Sequence, residues 1–439
     1  MTHDIFSRRD FLGVGATIAG ASLLGTTRAT EPIELKEPSR QASRANVRFG
    51  IVGVGMQGNG LLTDAIRLEG VECVAACDVY DGRHTLAREI VRPDLPVTRR
   101  YQDLLTNPDV DALIVAVPDH WHRQIVVDAV NAGKDVYCEK PMSHSPADGV
   151  AMVEAARKTG RIVQVGSQRV SSVICAKARE MIASGLLGDM MYVEAWLGRN
   201  EPSGAWQYPP PPDLSPANLD WDTWLGSAPK IPFNPEVFAR WRAWKEYGTG
   251  VAGDLLVHLM SGFLFMSGIN KPPTRTQSVG GIRRWKDGRN TPDVHLVLYD
   301  YDGLPVNMRL NLGTAIQEGY RFHGSRGLLE VNSGSITFSP QSGKDGGPSY
   351  YSSSFPRAMR NEYQQKWREQ NALKPGMQAP VTEVISFRGP GYDAVQPHLW
   401  NFFEAVRTRK PVVEDALFGH HAALACHLAN ESYYRKSAV

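Results

Sequence analysis

Three small groups of residues have the types and spacing for chemistry. The first is Gly53-Val54-Gly55-Met56-Gln57-Gly58, directly after the apolar run 47–52. Gly53 permits a tight turn, Gly55 lets the backbone approach a pyrophosphate, and Gly58 lets a helix pack closely on the strand. The helix that follows offers free N–H groups and a positive dipole end to phosphate. Asp78, twenty residues beyond Gly58 and at the end of a second strand over 71–76, is placed to take ribose hydroxyls. A carboxylate there repels a 2′-phosphate, so NAD is favoured over NADP. The second group is Glu139-Lys140-Pro141. Pro141 pushes the residue before it into an extended conformation and so presents Lys140 at a strand end, where its amine can exchange a proton with a substrate hydroxyl. The third is Asp254 and His258. Four residues apart on a helix they share a face, with Cβ atoms about 5–6 Å apart. Such a pair reads either as two groups acting on one substrate or as a helix cap followed by a core histidine.

The elements that must position these groups alternate regularly. After the first strand–turn–helix–strand, strands read at 112–117, 135–138 and 162–165, with helices at 123–131 and 147–159 between and after them. That is a doubly wound parallel sheet, in which ligands bind beyond the carboxyl ends of the strands. Pro118-Asp119-His120-Trp121-His122 and Glu139-Lys140-Pro141 sit at such ends, and Gln168 follows the last strand. Pro118, His122, Glu139 and Gln168 therefore join Gly53, Gly55, Met56, Gln57, Gly58, Asp78 and Lys140 as candidate cofactor-binding residues. His120 and His122, two apart on an extended segment, would share a face as metal ligands do. No third ligand accompanies them, and no metal is expected.

The glycine turn, the Pro-Asp-x-x-His turn and the Glu-Lys-Pro turn, in this order and spacing, resemble the Gfo/Idh/MocA family, which includes glucose–fructose oxidoreductase and inositol dehydrogenases. The resemblance covers residues 46 to 335. It implies a Rossmann domain followed by an α/β domain on a large open, mainly antiparallel sheet. It implies that Lys140 is the active-site lysine, next to the nicotinamide, and it places the family's Asp-x-x-x-His pair at Asp254 and His258. On that reading His258 is the general base and Asp254 orients the substrate or tunes the histidine.

The chain divides accordingly. Residues 46–168 form the NAD-binding domain and residues 169–439 a substrate-binding and oligomerisation domain. In the second, a helix over 173–184 and strands at 190–197, 275–285, 293–301, 304–313, 319–323 and 327–331 are separated by turn residues. Residues 333–395 depart from this pattern and read as a surface insertion, before two C-terminal helices that pack back on the rest. Residues 196–247 hold six of the ten tryptophans, and Trp faces make platforms for sugar rings. Arg199, Asn200, Trp241 and Tyr247 are the substrate-contact candidates there.

Ser7-Arg8-Arg9-Asp10-Phe11-Leu12 reads as a twin-arginine signal. The apolar stretch after it, about twelve residues, is too short for a bilayer, which needs about 20. Residues 1–29 are read as a signal peptide and 30–45 as an arm before the first strand. The twin-arginine export machinery is then a partner, and the mature protein is periplasmic or otherwise exported, outside the membrane. With 48 basic and 46 acidic residues the net charge is +2, which gives no electrostatic ground for nucleic-acid binding. Five cysteines in so long a chain imply no disulfide framework.

Export sharpens the functional reading. Outside the cytoplasm there is no nicotinamide pool, so the cofactor must be held tightly and its redox cycle closed. The leading expectation is an oxidoreductase acting on a hydroxyl of a small-molecule carbohydrate or polyol. The alternative is an NAD-dependent glycosidase working by oxidation, elimination, hydration and reduction; it needs a second base, for which Tyr247 or His120 is a candidate. A non-catalytic sugar- or dinucleotide-binding protein is the third. The outer face of the large sheet would otherwise expose apolar surface, so a homodimer or homotetramer is expected.

Overall fold

The computed structural model describes residues 46–341, 352–370, 383–392 and 394–439. Residues 1–45, read above as a signal peptide and an arm, lie outside them. Strands β1 (Val47–Val52), β2 (Val71–Cys77), β3 (Val97–Thr98), β4 (Ala112–Val115), β5 (Asp135–Cys138) and β6 (Val163–Val165) form a six-stranded sheet in the order β3-β2-β1-β4-β5-β6. Every pairing in it is parallel. The central strands are unbroken apolar runs because both faces are covered. Helices α1 (Met56–Ala65), α2 (Asp81–Ile90), α3 (Tyr101–Thr106), α4 (Asp119–Asn131) and α5 (Pro146–Thr159) alternate with the strands. Strand order reverses between β1 and β4, so a crevice opens beyond their ends, at Gly53 and Pro118.

The second domain adds α6 (Val173–Ala183), β7 (Met190–Gly198), the short α7 (Trp221–Leu225) and α8 (Pro235–Ala239), and α9 (Val257–Ser267). Then come β8 (Arg275–Gly281), β9 (Val294–Tyr301), β10 (Leu304–Asn311), β11 (Ile316–Gly324), β12 (Gly327–Asn332) and β13 (Ser335–Pro340). Helix α10 (Arg357–Gln370), β14 (Ile385–Arg388), α11 (Val395–Thr408) and α12 (Ala416–Arg435) complete it. Its eight strands run β14-β13-β12-β11-β7-β10-β9-β8, antiparallel throughout except where β7 meets β10. Strict alternation along β9 and β10 turns Val297, Tyr299, Val306, Met308 and Leu310 inward, onto Ile174 of α6, Phe263 of α9 and Cys426 of α12. The other face exposes Val279, Leu296, Leu298 and Ile316.

The two domains share their last helices. Leu399, Phe402 and Phe403 of α11 pack with Phe49, Ile51 and Ile114 on one face of the Rossmann sheet. The α12 helix runs between the domains: Ala416 and Ala423 join the first domain's core, while Ala422, Ala425 and Ala429 join the second's.

Three expectations are corrected. Residues 333–395 are not simply a surface insertion, because β13 pairs with β12 and β14 with β13, so the segment adds two strands to one edge of the sheet. Alternating burial in β13 is the cause: Ile336 and Phe338 are fully buried. The strand expected over 275–285 stops at Gly281, because the backbone N–H groups of Arg283, Arg284 and Trp285 turn to the Asp293 carboxylate at 2.7, 2.8 and 2.7 Å. Finally, Asp119, His120, Trp121 and His122 are not extended; they form the first turn of α4, with Pro118 as the cap residue.

Candidate active site

The glycine turn behaves as its sequence requires. Gly53 has φ +89°, and a Cβ on it would lie 2.4 Å from the Ala116 carbonyl oxygen. A Cβ on Gly58 would lie 2.0 Å from the Gly53 carbonyl oxygen. Gly55 caps α1 without any side-chain bond to the helix end, which leaves the first N–H groups facing the crevice. Asp78 braces the two neighbouring loops: its Oδ2 accepts from the Val54 N–H at 2.8 Å and its Oδ1 from the Tyr80 N–H at 3.0 Å. Arg83, which sequence reasoning passes over, lies over Gly55; its guanidinium is 2.7 Å from where a Cβ would stand. Its only sequence signal is its place in the first turn of α2, just beyond Asp78. These residues fit a dinucleotide: a glycine cradle closed to any side chain, exposed helix N–H groups, a cation above them and a carboxylate at the ribose position.

Three further cofactor candidates hold one another. The buried Glu139 carboxylate accepts from the amide of Gln57 at 3.0 Å, the amide of Gln168 at 2.7 Å and the Lys140 N–H at 3.2 Å. Burial pushes this carboxyl up, against the pull of Lys140. His122 sits behind the turn, not in the crevice. Its ring nitrogens lie 2.8 Å from the Pro141 carbonyl oxygen and 3.0 Å from that of Val117, so the ring braces the strand end that carries Lys140. His120 is likewise enclosed, 3.2 Å from the Tyr247 oxygen and 3.1 Å from the Trp224 oxygen, and burial drives it down to about 4.

Lys140 reaches across to the second domain. Its Nζ donates to the Asp254 carbonyl oxygen at 2.8 Å and to Asp254 Oδ1 at 2.9 Å. Arg242 Nε donates to the same Oδ1 at 3.0 Å, and the Trp206 indole N–H to Oδ2 at 2.9 Å. Burial alone would raise the Asp254 carboxyl, but Lys140 and Arg242 outweigh it and hold the group far below the usual range. Asp254 lies in a π-helical turn, Ala252–Leu256, that runs into α9. The wider turn loosens the helical ladder and leaves the Asp254 carbonyl for Lys140. Gly253 makes this approach possible, since a Cβ there would stand 1.6 Å from Thr249 Oγ1 and 3.1 Å from the Pro141 ring.

His258 follows on the same face; in the stretch 251–264 only Asp254 and His258 are not fully buried. Asp254 makes no hydrogen bond to it among the described residues; the carboxylate bonds Lys140, Arg242 and Trp206 and acts on the histidine through its charge alone. His258 Nδ1 is buried and has no hydrogen-bond partner among the described residues. Burial first, then the neighbouring Arg169 and Lys140, keep its imidazole neutral, against the opposing pull of Asp254.

One cavity joins the two halves, lined by Gly53, Gly55, Asp78 and Arg83 at one end and by Lys140, Trp241 and Arg242 at the other. Trp224 lines it as well. The tryptophan-rich loop thus splits: Trp206, Trp224 and Trp241 serve the site, Trp221 stacks on Trp224 at 4.7 Å, and Trp196 lies beneath Arg309 and Arg321 on the second sheet. Arg199 is half-buried at the end of β7, and Asn200 is exposed. Tyr247, expected at the substrate, is 3% exposed and packs with Tyr80, Trp224 and Phe238, because the loop needs an apolar core of its own.

Residues 47–167 match the family described as "Oxidoreductase family, NAD-binding Rossmann fold", Gfo/Idh/MocA. The inositol 2-dehydrogenase of Salmonella typhimurium is 35% identical over 149 residues, 34% of this chain and 44% of that protein. The chain thus spans about half the length of the curated relatives it matches. Over 90% of this chain the fold resembles the aldose–aldose oxidoreductase of Caulobacter crescentus solved with glycerol (TM-score 0.63, 17% identity, 99% of that chain). It also resembles a levoglucosan dehydrogenase solved with NADH (TM-score 0.63, 16% identity, 98% of that chain). At such identities these likenesses establish the fold: the parallel sheet and the mainly antiparallel sheet recur together. Residues 47–167 are therefore similar to the NAD-binding Rossmann domain of Gfo/Idh/MocA oxidoreductases, and the eight-stranded sheet that follows completes the same two-domain fold.

Proposed function

We propose that this chain oxidises a hydroxyl of a sugar or polyol, with NAD held in the crevice from Gly53 to Lys140. The observation that carries this reading is the meeting of Lys140, from the Rossmann domain, with Asp254 and Arg242, from the second domain, at the inner end of that crevice. NAD, when bound, supplies the hydride acceptor. The residues supply the rest. Gly53, Gly55 and the start of α1 hold the phosphates, and Asp78 the ribose. Lys140, fixed by Asp254, presents its remaining N–H to the substrate oxygen and stabilises the charge that develops there. His258, neutral and with Nδ1 free of other partners, accepts the hydroxyl proton. Trp241 offers an apolar face to the ring.

The glycosidase alternative needs a second base. Its two candidates are engaged elsewhere, His120 with backbone carbonyls and Tyr247 in an apolar cluster, which favours simple alcohol oxidation. Export and a closed redox cycle remain part of the proposal on the strength of the Arg8-Arg9 segment. The test is direct. The purified mature protein is denatured with nothing added, and the released nicotinamide is quantified. Near-stoichiometric NAD(H) supports a resident cofactor and a closed cycle; an empty protein that reduces added NAD with a sugar retains the oxidation and removes the cycle. An Asp254→Asn or Lys140→Ala protein that binds NAD yet still oxidises sugars at the wild-type rate overturns the catalytic assignment.

A further inference from the structure

Around His258 the cations outnumber the acids that neutralise them. Lys140 and Arg242 share a single carboxylate, Asp254. Arg169, in the turn after β6, is paired with Glu318. Glu318 is 8% exposed and stands in a β-bulge of β11, between Ile316, which pairs with Gly198, and Gly319, which pairs with Trp196. Bulges of this kind re-aim a side chain, and here one carboxylate is directed inward beneath Arg169. Arg199 directly follows Gly198 and so enters the same corner. Its aliphatic stem packs against Gly204, in the turn that delivers the Trp206 indole to Asp254. Among the described residues Arg199 makes no direct ion pair; the acid whose charge it feels, Glu318, is already bonded to Arg169.

The other charges nearby are already satisfied. Arg289 and Asp287 form a closed pair behind Trp206. Asp119 is buried and accepts from the Thr249 N–H and hydroxyl at 3.0 and 2.7 Å, and Glu139 is held by Gln57 and Gln168. Burial pushes both of these carboxyls toward the neutral form. Glu201, next in the chain to Asn200, is exposed and lies near the Asn200 N–H, at 3.4 Å.

Two polar atoms in this corner are buried and have no partner among the described residues: His258 Nδ1 and the hydroxyl of Tyr392. The Tyr392 ring lies 5.7 Å from the Arg169 guanidinium, so it stands in the same corner. Half-buried cation, neutral imidazole and unpartnered phenol, grouped around the Lys140–Asp254–Arg242 cluster, are the groups that a ligand both hydroxylated and negatively charged would satisfy.

Resting on the oxidoreductase reading above, we infer that the substrate is an anionic sugar, a sugar acid or sugar phosphate, whose charged group is recognised by Arg199. Arg169 and Tyr392 flank that group, and His258 faces the hydroxyl to be oxidised.

The test measures binding and turnover separately. Calorimetric titration of the NAD-loaded protein compares glucose, glucuronate, gluconate and glucose 6-phosphate, and the same compounds are assayed for oxidation. The anionic sugars are expected to bind about tenfold or more tightly than glucose, with the carboxylate and phosphate arms identifying the source of the charge. In Arg199→Gln that preference is expected to collapse, and in Arg199→Lys to be partly kept; NAD affinity of each variant serves as the check on folding. Equal or tighter binding of glucose, or a preference unchanged in Arg199→Gln, overturns the inference. Oxidation of neutral sugars with rejection of acids removes the inference and leaves the oxidoreductase reading. Arg199-dependent binding of acids with no oxidation of any sugar does the reverse.

Discussion

Lys140 and Asp254, 114 residues apart in the chain, are joined twice, from the lysine Nζ to the carboxylate at 2.9 Å and to the carbonyl oxygen of the same aspartate at 2.8 Å. The contact spans the two domains. It fixes the end of the lysine where the cofactor crevice meets the second domain.

Removing the charge at Asp254 strands two cations. In Asp254→Asn, Lys140 and Arg242 lose their shared counter-ion while remaining largely buried. Denaturant unfolding should show a loss of about 3 kcal/mol, the usual cost of breaking such a pair from one side. An unchanged midpoint would mean that the cluster does not hold the domains together.

The buried histidines should lower stability as the solution is acidified from neutrality, against the opposing contribution of the raised carboxyls of Asp119, Glu139, Glu318 and Glu414. His120, His295 and His398 are each pushed down to about 4, and His427 to about 3, in every case first by burial. A histidine lowered in the folded state stays neutral there while the unfolded chain takes up protons near pH 6.5. The unfolded state thus binds more protons between about pH 6.5 and 4, and stability rises with pH across that window. Each such group removes up to about 1.4 kcal/mol per pH unit of acidification. Asp254 acts in the same direction but lower: its depressed carboxyl contributes in full above its ordinary value near 4 and is lost only below it. Urea midpoints at pH 7, 6 and 5 check this; a flat profile would contradict it.

The glycine turn should tolerate no side chain. Gly53→Ala demands φ +89° of an alanine and places its Cβ against the Ala116 carbonyl, and Gly58→Ala meets the Gly53 carbonyl. Both variants should lose measurable NAD binding by calorimetry, whereas Gly60→Ala, where a Cβ meets nothing within 4 Å, should bind as wild type. Equal binding in all three would remove the cofactor assignment of this turn.

The outer face of the second sheet should carry the oligomer. Val279 is 59% exposed and Leu298 is 53% exposed, and Leu296 pairs directly beside Val279. Analytical ultracentrifugation of the wild type should give a dimer or tetramer, and Leu298→Glu should shift it toward the monomer. A monomeric wild type would end this expectation.

Much of the first domain was legible because its signals are local. The turn from Gly53 to Gly58, the carboxylate at Asp78 and the strand runs around them depend on neighbours a few residues away, and the parallel sheet follows from their alternation. The α4 start was misplaced because the apolar pattern begins only after Asp119, while the helix is capped one residue earlier by Pro118. Residues 333–395 were misread because β13 and β14 are short and separated by a long polar stretch, so no local period marks them as one sheet.

The order of motifs along the chain thus determined by itself that a dinucleotide crevice exists and that Lys140 stands at a strand end beside it. Which groups meet Lys140 was decided only by the tertiary structure. Arg242 and Trp206 converge on Asp254 from two separate loops, the bulge at Glu318 turns its carboxylate inward to Arg169, and Tyr392 returns from beyond β14 to the same corner. Pairings over such distances arise from how two packed sheets are oriented against each other. Residue spacing encodes the faces of single elements, and the relative placement of those faces is fixed only when α11 buries its apolar surface against the first domain and α12 against both.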